Sequence, residues 1–114
     1  MKFMLLMYAN PVETRNMSAS NRQIVAEKHK VLVAQLTDSG ELIDGAGLDY
    51  PWETITLRWC DGDPAGTIGP FVEAGEQLTA YYLVECADLS RAREIAGQLL
   101  DFHVTAVEVR RIHT

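Results

Sequence analysis

The chain has 114 residues, a formal net charge of −6, and 47% apolar against 23% charged residues. That length lies near the commonest domain size, so a single domain over residues 1–114 is expected, and the composition excludes disorder as the default state. The one adjacent Lys/Arg pair is Arg110-Arg111; an acidic chain without a basic stripe has nothing to hold phosphates, which excludes nucleic acid and anionic membranes as expected partners.

Residues 2–8 form an apolar run closed by Asn10-Pro11. The run is too short for the apolar region of a signal peptide and no small-residue cleavage site follows it. No stretch reaches the length of a membrane-spanning helix, so a cytoplasmic protein is expected. The run reads as a strand. Its alternating sets, Phe3/Leu5/Met7 and Met4/Leu6/Tyr8, are both apolar, which predicts cover on both faces. Residues 9–19 read as a loop. Ser20 with Gln23 fits a capping box, opening a helix that runs to about Ser39, where Gly40 suits the left-handed residue past the end. Ile24, Val25, Val31, Leu32 and Leu36 give this helix its apolar stripe, and His29 lies on or beside it.

Residues 41–45 are a short extended piece, followed by a loop through Pro51. From 54 to 60 the pattern alternates, with Ile55, Leu57 and Trp59 on one face and Thr54, Thr56 and Arg58 on the other, predicting a half-buried strand. Asp61-Gly62-Asp63-Pro64 signals a turn, and residues 65–77 a Gly-rich excursion in which Gly69-Pro70 is a rigid turn projecting Phe71. Leu78–Cys86 is the strongest strand, with Tyr81 and Tyr82 necessarily on opposite faces. Asp88 caps a second helix whose Leu89, Ala92, Ile95, Ala96 and Leu99 are expected to face inward. Val104–Ile112 closes the chain as a last strand.

The order β-α-β-β-α-β, with an elaborated central hairpin, predicts an α+β fold of the ferredoxin-like kind: a four-stranded antiparallel sheet with two helices on one face. Such a fold leaves the second sheet face bare. Since the first strand is apolar on both sides, that face needs a partner, and a second copy related by a two-fold axis supplies one. Cys60 and Cys86 form no CxxC pair and read as buried free thiols at the ends of different strands.

The opening Met1-Lys2-Phe3-Met4-Leu5-Leu6-Met7-Tyr8 resembles the K-[YF]-M-L-L-[IM]-Y start of the YCII-related (DGPF) family. Gly69-Pro70-Phe71-x-Glu73-x-x-Glu76-Gln77-Leu78-x-x-Tyr81-Tyr82-Leu83 resembles its D-G-P-F-x-E-x-K-E-Q-L-x-G-Y-Y-L signature, and Ala106-Val107-Glu108-Val109-Arg110 its closing V-E-V-R-P strand. The resemblance implies a dimeric α+β barrel, two sheets packed face to face with a pocket at the interface. It also implies a histidine on the first helix that pairs with an aspartate as general acid/base; here His29, Leu32/Val33 and Gly40-Glu41-Leu42 match that pattern. The signature aspartate is replaced by Ile68. Relatives of this kind are often encoded beside extracytoplasmic-function sigma factors, which suits a regulatory accessory.

The candidate site residues are therefore His29 as a catalytic acid/base, with Asp44, Asp49 or Glu108 to orient it, and Tyr8, Phe71, Tyr81 and Tyr82 as ligand-lining aromatics. A cavity beside His29 is expected, lined in part by Tyr8 and one of Tyr81 or Tyr82, without a complete dyad. Arg58 is expected to pair with Glu85. His29, His103 and His113 have no metal-ligand spacing, so no metal or cofactor is expected. Two readings follow: a small-molecule-binding or regulatory homodimer, favoured by the missing aspartate, and a cofactor-free enzyme acting through His29 on a small cyclic or aromatic substrate.

Overall fold

The computed structural model describes residues 1–113. Strand β1 (Lys2–Ala9) runs through the middle of a four-stranded antiparallel sheet of order β2-β5-β1-β6, where β2 is Leu42–Gly47, β5 Gln77–Glu85 and β6 Ala106–Arg111. Helix α2 (Ala19–Asp38) connects β1 to β2, and α3 (Leu89–Leu99) connects β5 to β6. This is the ferredoxin-like α+β arrangement that the element order predicts.

Strand alternation divides the sheet. Phe3, Leu5 and Met7 of β1 lie opposite Val84, Tyr82 and Ala80 of β5, and this set packs under Leu32 and Leu36 of α2 and Ala92, Ile95 and Leu99 of α3 to make the core. Met4, Leu6 and Tyr8 point to the other face, where they are only half-buried. Both sides of β1 are thus apolar, but only one is fully covered by the described residues.

The helix ends follow their capping chemistry. Asp88 accepts from the Arg91 amide at 2.9 Å and starts α3 as expected; Leu89, however, is half exposed at the first position rather than inward. Helix α2 is capped by Ser18, whose Oγ accepts from the Asn21 amide at 3.1 Å, and not by Ser20. Extended backbone at Ser18 leaves its hydroxyl beside the free amides, while Ser20 is already helical. At the other end Gly40 has φ +77. Hydrogen bonds donated by the Gly40 amide to the Thr37 carbonyl and by the Glu41 amide to the Leu36 carbonyl close the reciprocal C-terminal motif. Ile24 and Val31 of the predicted stripe are about half exposed; only Leu32 and Leu36 are fully buried on α2.

Two further segments depart from expectation. Residues 9–19 contain a short helix, α1 (Pro11–Arg15), with Asn10 accepting from the Val12 and Glu13 amides at 3.0 and 3.2 Å and Pro11 in the first turn. The second concerns residues 54–68. Strand β3 (Ile55–Cys60) does not join the sheet; among the described residues it pairs only with β4 (Asp63–Ile68), which takes up the end of the expected turn and the start of the expected excursion, as a separate two-stranded hairpin. The expected inward face of β3 is therefore exposed, and so is Cys60, while Cys86 is buried; both are free thiols. Arg58 stacks over Phe71 at 5.2 Å instead of pairing with Glu85, which Lys2 approaches at 3.9 Å. No helix among the described residues is long and apolar enough to cross a membrane.

Candidate functional site

His29 projects from the middle of α2 toward the β2 edge of the sheet. It rests edge-on against Phe102, with ring centroids 4.4 Å apart, and its Nδ1 lies 2.6 Å from the hydroxyl of Tyr82. Tyr82 reaches it because position 82 falls on the helix-covered side of β5. There its ring is 4% exposed and forms part of the core. Tyr81, the next residue, points to the opposite face, as strand alternation requires, and its hydroxyl donates to Asp44 at 2.9 Å.

Beside this pair lies a cavity of about 380 Å³, within the range of small-molecule sites. Val33 of α2, Leu42, Gly45, Ala46 and Gly47 of β2 and Ala80 of β5 form its remaining walls. The run of small residues on the edge strand makes room for it. Gly45 is tightly placed, since a Cβ there would meet the Tyr81 carbonyl oxygen at 3.2 Å and the Tyr82 ring at 3.6 Å. The walls are apolar except for His29 and Tyr82.

Burial sets the charge state of the pair. It lowers the pKa of His29 below the ordinary imidazole value and pushes that of Tyr82 up to about 12. Both groups are neutral at pH 7. With the phenol assigned as donor to an unprotonated Nδ1, the imidazole carries its hydrogen on Nε2. The contact couples two neutral groups, and a neutral phenol does not stabilise an imidazolium as a carboxylate would.

The expected carboxylates lie elsewhere. Asp44 takes Tyr81, and Glu108 accepts from Tyr8 at 3.4 Å and from Arg110 at 2.9 Å. Asp49 lines a second hollow of about 520 Å³ that also holds Tyr8 and Phe71, with Leu48, Pro70 and Leu78. So the aromatic candidates do not converge. Tyr82 joins His29, Tyr8 and Phe71 share the hollow at one end of the bare sheet face, and Tyr81 joins neither. Tyr8 is absent from the His29 cavity because it alternates to the bare side of β1. For the same reason the cavity lies between α2 and the sheet edge, away from the face that sheet-to-sheet packing would cover. Ile68 stands on β4 at 79% exposure and lines none of the cavity.

Sequence reasoning missed the β2 wall; the run Gly45-Ala46-Gly47 was the available signal. Among the described residues, no group of three or more His, Cys, Asp or Glu is placed to hold a metal ion.

The whole described chain, residues 1–113, matches the YCII-related domain. The chain belongs to the YCII-related family. It is also similar to an uncharacterized protein of Rhizobium meliloti (strain 1021), with 29% identity over 99 residues that cover 87% of this chain and 80% of that one.

Proposed function

We propose that this YCII-related protein is a homodimer that binds a small, mostly apolar molecule in the cavity beside His29 and Tyr82, as a binding or regulatory accessory rather than a catalyst. The observation that carries this reading is the 2.6 Å contact between His29 Nδ1 and the Tyr82 hydroxyl inside an apolar wall. A general base needs a partner that stabilises its protonated form, and here burial opposes protonation while the neutral phenol supplies no charge to offset it. A ligand with one polar group and an apolar body matches what the cavity offers. The bare, half-buried Met4, Leu6 and Tyr8 face supports the dimer.

The test is a thermal-shift screen of small neutral cyclic and aromatic compounds at pH 7.5, followed by turnover assays on each compound that binds. Binding without consumption is expected. Tyr82→Phe should weaken it by about tenfold, the worth of one hydrogen bond in an apolar site. A compound converted to product by the wild type but not by His29→Gln would establish the enzymatic reading instead. A compound whose binding ignores both residues would place the site elsewhere.

A further inference from the structure

The β3–β4 hairpin carries an apolar face that none of the described residues covers. Ile55, Leu57 and Trp59 alternate onto one side of β3 and are 68%, 68% and 78% exposed. Opposite them on β4 stand Ile68, Gly66 and Pro64, so that this face bears no charge at all. The polar residues, Thr56, Arg58 and Thr67 among them, take the other side. The hairpin is tied to the body at its root, where the Gly69 amide donates to the Thr54 carbonyl at 2.6 Å and Thr56 Oγ1 to the Gly69 carbonyl at 2.8 Å.

A two-stranded hairpin alone is marginal in water, and one with a bare apolar face is an association site. The dimensions of the chain say the same. A compact chain of this length has a radius of gyration of about 13 Å; this one has 15.9 Å, with extents of 49 × 40 × 18 Å. A monomer of 12.7 kDa exposes roughly 6,200 Å², whereas this chain exposes 7599 Å². The surplus of about 1,400 Å² exceeds the roughly 800 Å² per partner of a standard interface and fits the per-partner share of an obligate one.

We propose that the β3–β4 hairpin is an arm that seats its Ile55, Leu57 and Trp59 face on a second copy of this chain, extending the dimer beyond the bare sheet face. The inference rests on the dimeric part of the reading above and is independent of the cavity. A second copy is the occupant because, among the described residues, two apolar surfaces lack full cover, the exposed arm and the half-buried sheet face of Met4, Leu6 and Leu83. A two-fold axis covers both sets at once and closes. The surplus area is also what such a dimer requires. An uncharged face offers nothing to a nucleic acid or to a partner recognised by charge.

The experiment uses the full chain in a Trp52→Phe background, so that Trp59 is the only tryptophan. Sedimentation and Trp59 emission are followed across a dilution series, with Leu57→Asp and Leu6→Asp as variants. A dimer whose Trp59 emission is blue-shifted and moves to the red on dissociation is expected. Leu57→Asp should raise the dimer dissociation constant by about tenfold or more, while Cys86 stays protected from alkylation as evidence of a folded body. A dimer that Leu57→Asp leaves intact, with Trp59 emitting as in water, would overturn the arm and leave the sheet-to-sheet dimer standing, to be confirmed by dissociation in Leu6→Asp. A wild-type monomer at all concentrations would overturn the dimer and the arm together, without touching ligand binding at His29. A monomer whose Trp59 shifts only with zwitterionic phosphatidylcholine vesicles would assign the arm to lipid and overturn the proposal.

Discussion

Strands β1 and β3 each place an apolar set on one face by alternation, and those two faces meet opposite fates. In β1 the residues Phe3, Leu5 and Met7 alternate onto one face and are 2% exposed or less; in β3 Ile55, Leu57 and Trp59 alternate in the same way and are 68% exposed or more. The difference lies in what each pairs with. β1 lies between β5 and β6 beneath two helices, while β3 has β4 alone. Alternation reports that a face seeks cover. It does not report whether the cover is a helix of the same chain or another molecule.

The largest effect follows from that contrast. Leu5→Ala, at 0% exposure in the core, should lower unfolding stability by about 2–5 kcal/mol, the range for leaving a cavity in a packed interior. Trp59→Ala, measured at concentrations low enough to keep the chain monomeric, should change it by less than about 0.5 kcal/mol. Urea unfolding checks both. Equal losses would mean that the arm packs on its own body.

The body was largely legible in the sequence because its signals are local and mutually consistent. Asp88, Gly40 and the two-sided β1 each fix one element without help from distant residues. What escaped depends on pairing. The β3 pattern reads as a strand of the sheet because the order β-α-β-β-α-β wants four strands; the weaker piece at Leu42–Gly47 fills that place, and its glycines make it poor as a strand by propensity. Of the expected turn Asp61-Gly62-Asp63-Pro64 only Asp61-Gly62 is a turn; Asp63 and Pro64 open β4, a strand that is Asp-, Pro- and Gly-containing and looks like loop. At the site, alternation alone separated Tyr81 from Tyr82. The choice of Tyr82 as the partner of His29 needed the register of β5 against β1, which no local pattern gives.

Acid sharpens the comparison at smaller magnitude, because the titratable contacts belong to the body. Among the described residues, no ion pair joins the arm to the rest of the chain, whereas Arg91 of α3 reaches Glu41 before β2 with bonds of 2.8 and 2.9 Å. The hydrogen bonds from Arg91 hold Glu41 down to about 2 from an ordinary 4.5. A folded pKa below the unfolded one means stability that is present above about pH 4.5 and lost as pH falls toward 2. Arg91 is a third exposed, so screening limits the loss to on the order of 1–2 kcal/mol. His29 acts in a higher window. Burial lowers its pKa from 6.5, so stability is full above pH 6.5 and declines below it as the unfolded chain takes the proton first. Urea midpoints at pH 7.5, 5.5 and 3 should show both losses. Glu41→Gln should remove the lower one and His29→Gln the upper. A single loss that neither substitution moves would locate acid sensitivity in other groups.

The smallest effect is chemical and needs no change in stability. Each region holds one thiol. Cys60 ends β3 on the same side as Thr56 and Arg58, away from the apolar face, and is exposed. Cys86 is 7% exposed, lies 3.5 Å from the Asp88 carbonyl, and has its pKa raised by burial. The thiolate is the reactive form, so burial slows Cys86 twice, by access and by ionisation. With a disulfide reagent at pH 8, one thiol per chain should react at the rate of a free cysteine and the second only after addition of denaturant. Cys60→Ser should abolish the fast phase. Because the arm would seat on a partner through the opposite side of β3, the fast phase should survive dimerisation. Protection of Cys60 in the dimer would mean that the polar side of the hairpin, not the Trp59 side, meets the second copy.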